Sequence, residues 1–103
     1  MNVKVDRRAI LDQIGFWNVG AISGGRVAIT ENGISLPVSN GYSVEVDYDY
    51  GSDTYTVKRV FKRGSNKWVQ TKEQVYCTEV GEIAYQASCF QNVDFGVKVK
   101  VAA

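Results

Sequence analysis

The chain contains one stretch in which apolar and polar residues alternate without a fault, Tyr42-Ser43-Val44-Glu45-Val46-Asp47-Tyr48-Asp49-Tyr50. Successive side chains of a β-strand point to opposite faces of its sheet, so this period of two predicts a strand with one apolar and one acidic face. The turn residues Gly51-Ser52-Asp53 follow it directly. The stretch therefore predicts the first half of an antiparallel hairpin.

The partner strand of this hairpin is predicted over Thr54–Arg63. If Tyr50 pairs with Tyr55, then Asp47 lies opposite Lys58 and the apolar residues of both strands share one face. Opposite charges at such positions ordinarily form an exposed ion pair. This register agrees with the residue pattern of both strands.

Further along, Arg59 breaks the alternation, and a β-bulge near Lys58-Arg59 would restore it. A second turn, Gly64-Ser65-Asn66, leads into a short last strand of the meander, Lys67-Trp68-Val69-Gln70. The sequence therefore predicts at least three consecutive antiparallel strands.

Upstream, the pair Asn32-Gly33 suits a two-residue type I′ turn, because both turn positions need a positive φ. Such a turn sets Glu31 opposite Ile34 and joins two short strands. Pro37 lacks a backbone donor, so the second strand is expected to stop there or to lie at an edge. The sheet is thus expected to extend on the N-terminal side.

The N-terminal segment predicts a short helix from Asp6 to Ile14, with the Asp6 side chain as N-cap and Gly15 as its terminator. The residues after Gly15 return to a period of two, so Trp17 to Ile22 is predicted to be a strand. Trp17 is expected to belong to the core.

The C-terminal third predicts the longest helix of the protein. Thr71 and Gln74 fit a capping box. One apolar stripe at helical spacing follows, formed by Tyr76, Val80, Ile83, Ala87 and Phe90. Gly81 is expected to mark a close approach to the sheet, and Asn92 to cap the helix. Residues 91–103 are predicted to be either an added edge strand or a flexible tail, since Val97, Val99 and Val101 alternate with lysines.

These elements predict one α+β domain over residues 1–103, with an antiparallel meander of four to six strands, a short N-terminal helix and one long C-terminal helix packed on one face. The length of 103 residues is that of a single folding unit. Cys77 and Cys89 would stand about 18 Å apart on the long helix. No internal disulfide is therefore expected, and both are predicted to be small buried or half-buried residues.

Composition narrows the possible functions. The chain has no histidine, which excludes histidine-based catalytic triads and histidine-bearing zinc sites. Twelve basic and eleven acidic residues leave a net charge of +1, so a partner has to be chosen by local patches. No apolar run is long enough to span a bilayer, and no signal peptide is evident. We expect a cytoplasmic, non-enzymatic protein with no cofactor and no membrane contact.

Two groups of residues could carry chemistry. The acidic row Glu45, Asp47 and Asp49 could bind a divalent cation, although surface ion pairing is the more ordinary use. Six basic residues lie between Lys58 and Lys72, interleaved with Phe61 and Trp68, a composition typical of single-stranded nucleic-acid binding but also of a solvated sheet face. The residues expected to contact a partner are Tyr50, Tyr55, Lys58, Arg59, Lys62, Arg63, Lys67 and Trp68.

The chain also resembles a family of small uncharacterised proteins from bacteriophages and prophage-like elements. The motifs that carry the resemblance are Ala9-Ile10-Leu11-Asp12-Gln13-Ile14-Gly15, Ile34-Ser35-Leu36-Pro37, Asp53-Thr54-Tyr55-Thr56-Val57, Arg63-Gly64 and Val75-Tyr76. The resemblance implies a mobile-element origin, covers residues 9–90 and transfers no catalytic residue.

From these observations we expect a non-enzymatic phage or mobile-element protein that binds a host macromolecule in the host cytoplasm. A protein or ribonucleoprotein of a defence system, as for an anti-CRISPR-like inhibitor, is the expected partner, and a homodimer is among the expected forms. The alternative is a single-stranded nucleic-acid-binding protein that uses the basic strand 58–72.

Overall fold

The computed structural model of the protein describes residues 5–89, 95 and 98–102. Nine elements occur in them: α1 (Arg7–Ile14), α2 (Phe16–Ser23), β1 (Ala28–Ile29), β2 (Gly33–Pro37), β3 (Tyr42–Asp49), β4 (Thr54–Arg63), β5 (Asn66–Val75), α3 (Val80–Ser88) and β6 (Val99–Ala102).

The six strands form one antiparallel sheet in which every strand pairs with its neighbour in sequence, in the order β1-β2-β3-β4-β5-β6. The α+β class and the antiparallel meander are confirmed. The buried residues of the helices join one core with the inward residues of β2, β3 and β4. We call the helix-covered side the inner face and the opposite side the outer face. Among the described residues, no helix has the length and apolar character needed to cross a bilayer.

Helix α1 begins and ends as its sequence predicts. The Asp6 carboxylate accepts a hydrogen bond from the Ala9 amide at 3.0 Å, and Gly15 ends the helix with a φ of 96°. Arg7 has a structural role, since its guanidinium donates to the carbonyls of Gly33 and Thr30 in the β1–β2 turn. Helix α1 is thus attached to the sheet at its first turn.

The predicted strand Trp17–Ile22 is wrong, because these residues lie in helix α2. The buried residues of α2, Val19, Ile22 and Ser23, recur at spacings of three and one, which suits one face of a helix that docks on the core. Trp17 points away from that face and is 85% exposed. The expectation that Trp17 belongs to the core is therefore also wrong.

The long C-terminal helix is wrong as well. Residues 71–75 continue strand β5, and Tyr76 lies outside any helix at 60% exposure. The helix begins at Val80, after the N-cap Glu79, and has nine residues. Pairing of β5 with β4 outweighs the local capping signal at Thr71, since it satisfies the backbone and buries Val75. Phe90 and Asn92 lie outside the described residues.

Gly81 marks a close approach, but to α1 instead of to the sheet. A Cβ at this position would collide with the Ile14 carbonyl and would lie 2.8 Å from Asn18 Nδ2. The absence of a side chain at Gly81 lets α3 pack directly on the end of α1.

Two hairpin registers differ from the sequence-based prediction by two residues. In the first, Ile29 and not Glu31 lies opposite Ile34, because Gly33 itself pairs in β2 with Asp47. A wider loop results, closed by the Thr30 amide donating to the Gly33 carbonyl at 3.1 Å. A slip of two leaves every side chain on its predicted face.

In the second hairpin, Tyr48 and not Tyr50 lies opposite Tyr55. The longer turn is held by its own side chains: the Asp49 carboxylate accepts from the Gly51 amide at 3.0 Å, and the Tyr48 hydroxyl donates to Asp53 at 2.6 Å. The Asp49 bond is of the Asx type, in which a side chain binds the backbone two residues further on and stabilises a turn.

The expected bulge near Lys58-Arg59 is not where the ladder is irregular. Strands β3 and β4 pair without a shift, and the irregularity lies between β4 and β5 at Tyr55/Val57, where Gln74 of β5 has a φ of 57°. The C-terminal tail was predicted to be either an edge strand or flexible. Residues 99–102 form an edge strand that pairs with β5. Val97 lies outside the described residues.

Cys77 and Cys89 are both free, as expected, but both are exposed, so the prediction of buried or half-buried cysteines is wrong. Cys77 precedes α3 and Cys89 follows it. The shorter helix removes both residues from the packed stripe.

Candidate functional site

The eight residues expected to contact a partner do not form one surface. Tyr50 is 67% exposed beside the β3–β4 turn, whereas Tyr55, the other tyrosine expected to contact a partner, is 6% exposed within the core. Lys58 lies on the outer face and makes a 3.0 Å ion pair with Asp47, the predicted partner, which lies diagonally across the ladder because Glu45 is directly opposite Lys58. The predicted ion pair is thus present in a shifted register.

Arg59 points to the inner face and contacts the end of helix α3. Its Nε donates to the Ala87 carbonyl at 3.0 Å and its Nη2 to the Gln86 carbonyl at 3.5 Å. The guanidinium also lies 4.7 Å from the centre of the Phe95 ring. A cation at a helix C-terminus satisfies free carbonyls and opposes the negative end of the helix dipole. Burial lowers the pKa of Arg59 from its ordinary value. Arg59 therefore stabilises the fold.

The remaining four residues lie together at one end of the sheet, around the β4–β5 turn. The structure adds two lysines from β6 and the residue before it, so that five cations meet there: Lys62, Arg63, Lys67, Lys98 and Lys100. We call these five residues, with Trp68, the basic end. The segments that form this end of the sheet, residues 37–44, 60–69 and 98–102, contain no carboxylate.

Aromatic rings run across the inner face at the basic end. Tyr42 and Phe61 have ring centres 4.5 Å apart, and Phe61 stacks on Trp68 at 5.7 Å. The ammonium groups of Lys98 and Lys100 each lie 5.8 Å from the Trp68 ring centre, within the range of a cation–π contact. All three rings are half-buried.

The opposite end of the sheet, around the β3–β4 turn, is acidic, and we call Asp47, Asp49 and Asp53 the acidic end. Each carboxylate has a partner, since Asp47 binds Lys58, Asp49 caps the turn and Asp53 accepts from Tyr48. The hydrogen bond to Asp53, followed by desolvation, raises the pKa of Tyr48 to about 12. Among the described residues, no group of three or more His, Cys, Asp or Glu could hold a metal ion.

A second surface, which the sequence did not predict, lies on α2 and β1. Phe16 is 82% exposed and Trp17 is 85% exposed, with their rings edge to face at 5.7 Å. Ile29, at 74%, and Val27, at 40%, are the exposed apolar residues of the adjoining sheet edge. We call these four residues the apolar α2 surface.

A groove of about 460 Å³ opens on this surface between α1, α2 and the turn after α2. Phe16, Val27 and Leu11 line it, and Asp12 is the one charged residue among the described residues that line it. Gly20 contributes space, because nothing lies within 4 Å of the point where its Cβ would stand. The groove is therefore apolar with a single carboxylate at its rim.

Sequence reasoning missed Phe16 and Trp17 because a helix was interpreted as a strand. The spacing of Val19, Ile22 and Ser23 fits the buried face of a helix. If that face packs on the core, the two adjacent aromatic rings at the start of the helix point toward solvent. In the sequence, Lys98 and Lys100 are visible only as the lysines that alternate with valines in the tail, and it is strand pairing that brings Lys100 opposite Trp68.

Comparison with protein-family models, with curated proteins and with solved structures finds no match for this chain. The resemblance to phage proteins therefore stays a prediction.

Proposed function

We propose that this protein is a non-enzymatic binding protein whose apolar α2 surface docks on another protein. The observation that supports the proposal most directly is the exposure of two adjacent aromatic side chains, Phe16 and Trp17, at more than four-fifths each. Burying a large apolar side chain is worth about 1.5 to 3 kcal/mol. Because Phe16 and Trp17 are exposed in the isolated protein, their burial can stabilise a complex with another protein.

The chemistry of the surface suits a protein partner. Tryptophan and other aromatic residues are enriched among the few side chains that dominate binding energy in protein interfaces. Here they stand beside a groove whose walls are apolar, and Ile29 extends the apolar area along the sheet edge. An apolar side chain of a partner would fill the groove against the Phe16 ring, while the adjacent Trp17 ring contacts the partner beside it.

The surface is also prepared for contact at little conformational cost. Both rings belong to a helix with an αL cap at Gly24, and α2 is attached to the core through Val19 and Ile22. Contact groups on a rigid element lose less entropy on binding than groups on a loop. A host protein, as the resemblance to phage proteins implies, is the partner class we propose, and inhibition of a defence system remains the prediction made from that resemblance.

The test is a paired affinity capture. The tagged wild type and the double variant Phe16→Ala/Trp17→Ala are incubated with nuclease-treated bacterial lysate, and the captured proteins are identified by mass spectrometry. The control is Tyr50→Ala/Tyr76→Ala, which removes two aromatic residues of 67% and 60% exposure elsewhere. Far-UV circular dichroism confirms that all three proteins are folded.

We expect a protein that the wild type and the control capture and that the Phe16→Ala/Trp17→Ala variant loses. Because all changed residues are exposed, each variant should keep its stability within about 0.5 kcal/mol. Capture of the same proteins by all three, or of none by the wild type, would overturn the proposal.

A further inference from the structure

The basic end is an electrostatic anomaly of the fold. Lys62 of β4 lies directly opposite Lys67 of β5, so two like charges face each other on the outer face. Directly opposed like charges destabilise a strand pair by roughly 0.2 to 1 kcal/mol. No salt bridge to Lys62, Arg63 or Lys67 occurs among the described residues. The fold therefore keeps an unfavourable arrangement of charge that an anionic ligand would relieve.

The charge is also concentrated far beyond what the net charge of +1 suggests. Five cations and no carboxylate occur in the three segments that build the basic end. Of the β3 acids, Asp47 and Asp49 lie toward the other end of the sheet, and Glu45 lies opposite Lys58, where it lines a pocket shared with Lys67. Lys62 and Lys67 occupy the outer face, and Lys100 lies opposite Trp68 on the inner face. Positive charge therefore surrounds the end of the β4–β5 hairpin on both sides.

The ring at the centre of these charges favours unpaired bases. Trp68 is half-buried, lies next to Phe61 and has two lysine ammonium groups 5.8 Å from its ring centre. Stacking of a base on an aromatic ring requires a base that is not enclosed in a duplex. A flexible strand can also follow cations on two faces of a hairpin, which a stiff duplex cannot do.

We propose that the basic end binds single-stranded nucleic acid, with its lysines and Arg63 on the phosphates and the Trp68 indole against a base. This site is separate from the apolar α2 surface, and it goes beyond the docking function proposed above. A base that stacks on the Trp68 ring would displace the Lys98 and Lys100 ammonium groups. These groups would then contact the phosphates on either side of the stacked base.

Binding is measured by fluorescence anisotropy with a labelled oligothymidylate of about 12 nucleotides, a length within the usual site size of such proteins. If all five cations contact phosphates, the plot of log affinity against log salt has a slope of about −3.5. A rise from 50 to 200 mM salt then weakens binding by about 100-fold.

The decisive variant is Lys62→Ala/Lys67→Ala/Lys100→Ala, and its matched control is Arg8→Ala/Lys58→Ala/Lys72→Ala, which removes the same charge elsewhere. We expect the first to reduce the salt slope by about 2 and the control to leave the slope unchanged. Equal behaviour of the two variants, or no binding by the wild type at low salt, would overturn the proposal.

The stacking contact has its own readout, because Trp17 and Trp68 are the two tryptophans of the chain. In a Trp17→Phe background, binding should quench the fluorescence of Trp68. Trp68→Leu should weaken binding about 5- to 150-fold, the value of one base stack. A blunt duplex of equal length or an acidic peptide that binds more tightly than the oligothymidylate would contradict the assignment.

Discussion

The two ends of the sheet carry opposite charges and use them differently. At the acidic end every carboxylate has a defined partner: Asp47 a lysine, Asp49 a turn amide and Asp53 a tyrosine hydroxyl. At the basic end the lysines face each other or the Trp68 ring. Charge at one end is therefore part of the fold, while charge at the other is available for a ligand.

The boundary between these two uses runs through strand β4. Arg59 and Lys62 are three residues apart in one basic run, yet Arg59 contacts α3 on the inner face and Lys62 lies on the outer face. A run of like charges along a strand is divided by the alternation of its side chains. The difference in use can be tested by three experiments.

The largest expected effect separates Arg59 from Lys62. Arg59→Ala should lower the free energy of unfolding by about 2 to 3 kcal/mol, because two helix carbonyls lose a charged donor. Lys62→Ala should change it by less than about 0.5 kcal/mol. Urea unfolding followed by circular dichroism measures both values, and equal losses would contradict the division. Arg59→Lys should recover part of the loss, since lysine keeps the charge but not the planar fork.

A pH titration tests whether the acidic end is used by the fold. The pKa of Tyr48 is raised to about 12 chiefly by its hydrogen bond to Asp53. Because this value exceeds the ordinary pKa of about 10 in the unfolded chain, the stabilisation is complete below pH 10 and is lost as the pH rises through 12.

Asp53→Asn should therefore lower the pKa of Tyr48, which an absorbance titration of the phenolate detects. Asparagine also tolerates the φ of 53° found at this residue, so the turn is kept. The transition assigned to Tyr48 should be missing in Tyr48→Phe. An unchanged titration of Asp53→Asn would show that the hydrogen bond does not hold the proton.

The smallest effect concerns stability at the basic end. Lys67→Glu replaces the like-charge pair with Lys62 by an opposite pair, so the free energy of unfolding should rise by about 0.2 to 1 kcal/mol. The gain should shrink with added salt. Lys72→Glu, whose cross-strand neighbour is Val57, is the control and should give no gain. A loss of stability in Lys67→Glu at low salt would show that the two lysines are already neutralised within the fold.

Much of the fold follows from local pattern. The alternation of Tyr42 to Asp49 predicted β3 and its two faces, and the Asp6 cap with Gly15 predicted α1. Both hairpins were placed on the correct faces although each register was off by two. A slip of two conserves the faces, so the apolar pattern alone cannot detect it. The hydrogen bonds of the turns, such as those from Arg7 to the β1–β2 turn and from Tyr48 to Asp53, accompany the observed registers and are not visible in the apolar pattern.

The wrong secondary-structure predictions concern short segments whose residue pattern fits both a helix and a strand. Trp17–Ile22 fits a strand locally, but its burial of Val19 and Ile22 against the core is possible only as a helix. Thr71 to Val75 fits a helix start, but pairing with β4 makes it a strand. In both segments tertiary contacts outweigh a local preference worth at most about 1 kcal/mol per residue.

The amino-acid sequence by itself determined the α+β class, the meander, the first helix and the presence of a basic, aromatic segment, because each depends on spacing along the chain. The tertiary structure alone decided how that segment is used. It turned Arg59 toward α3, brought Lys98 and Lys100 of a distant segment beside Trp68, and left Phe16 and Trp17 exposed on α2. The physical reason is that side-chain alternation and strand pairing distribute neighbouring residues to different faces and join residues that are far apart in sequence.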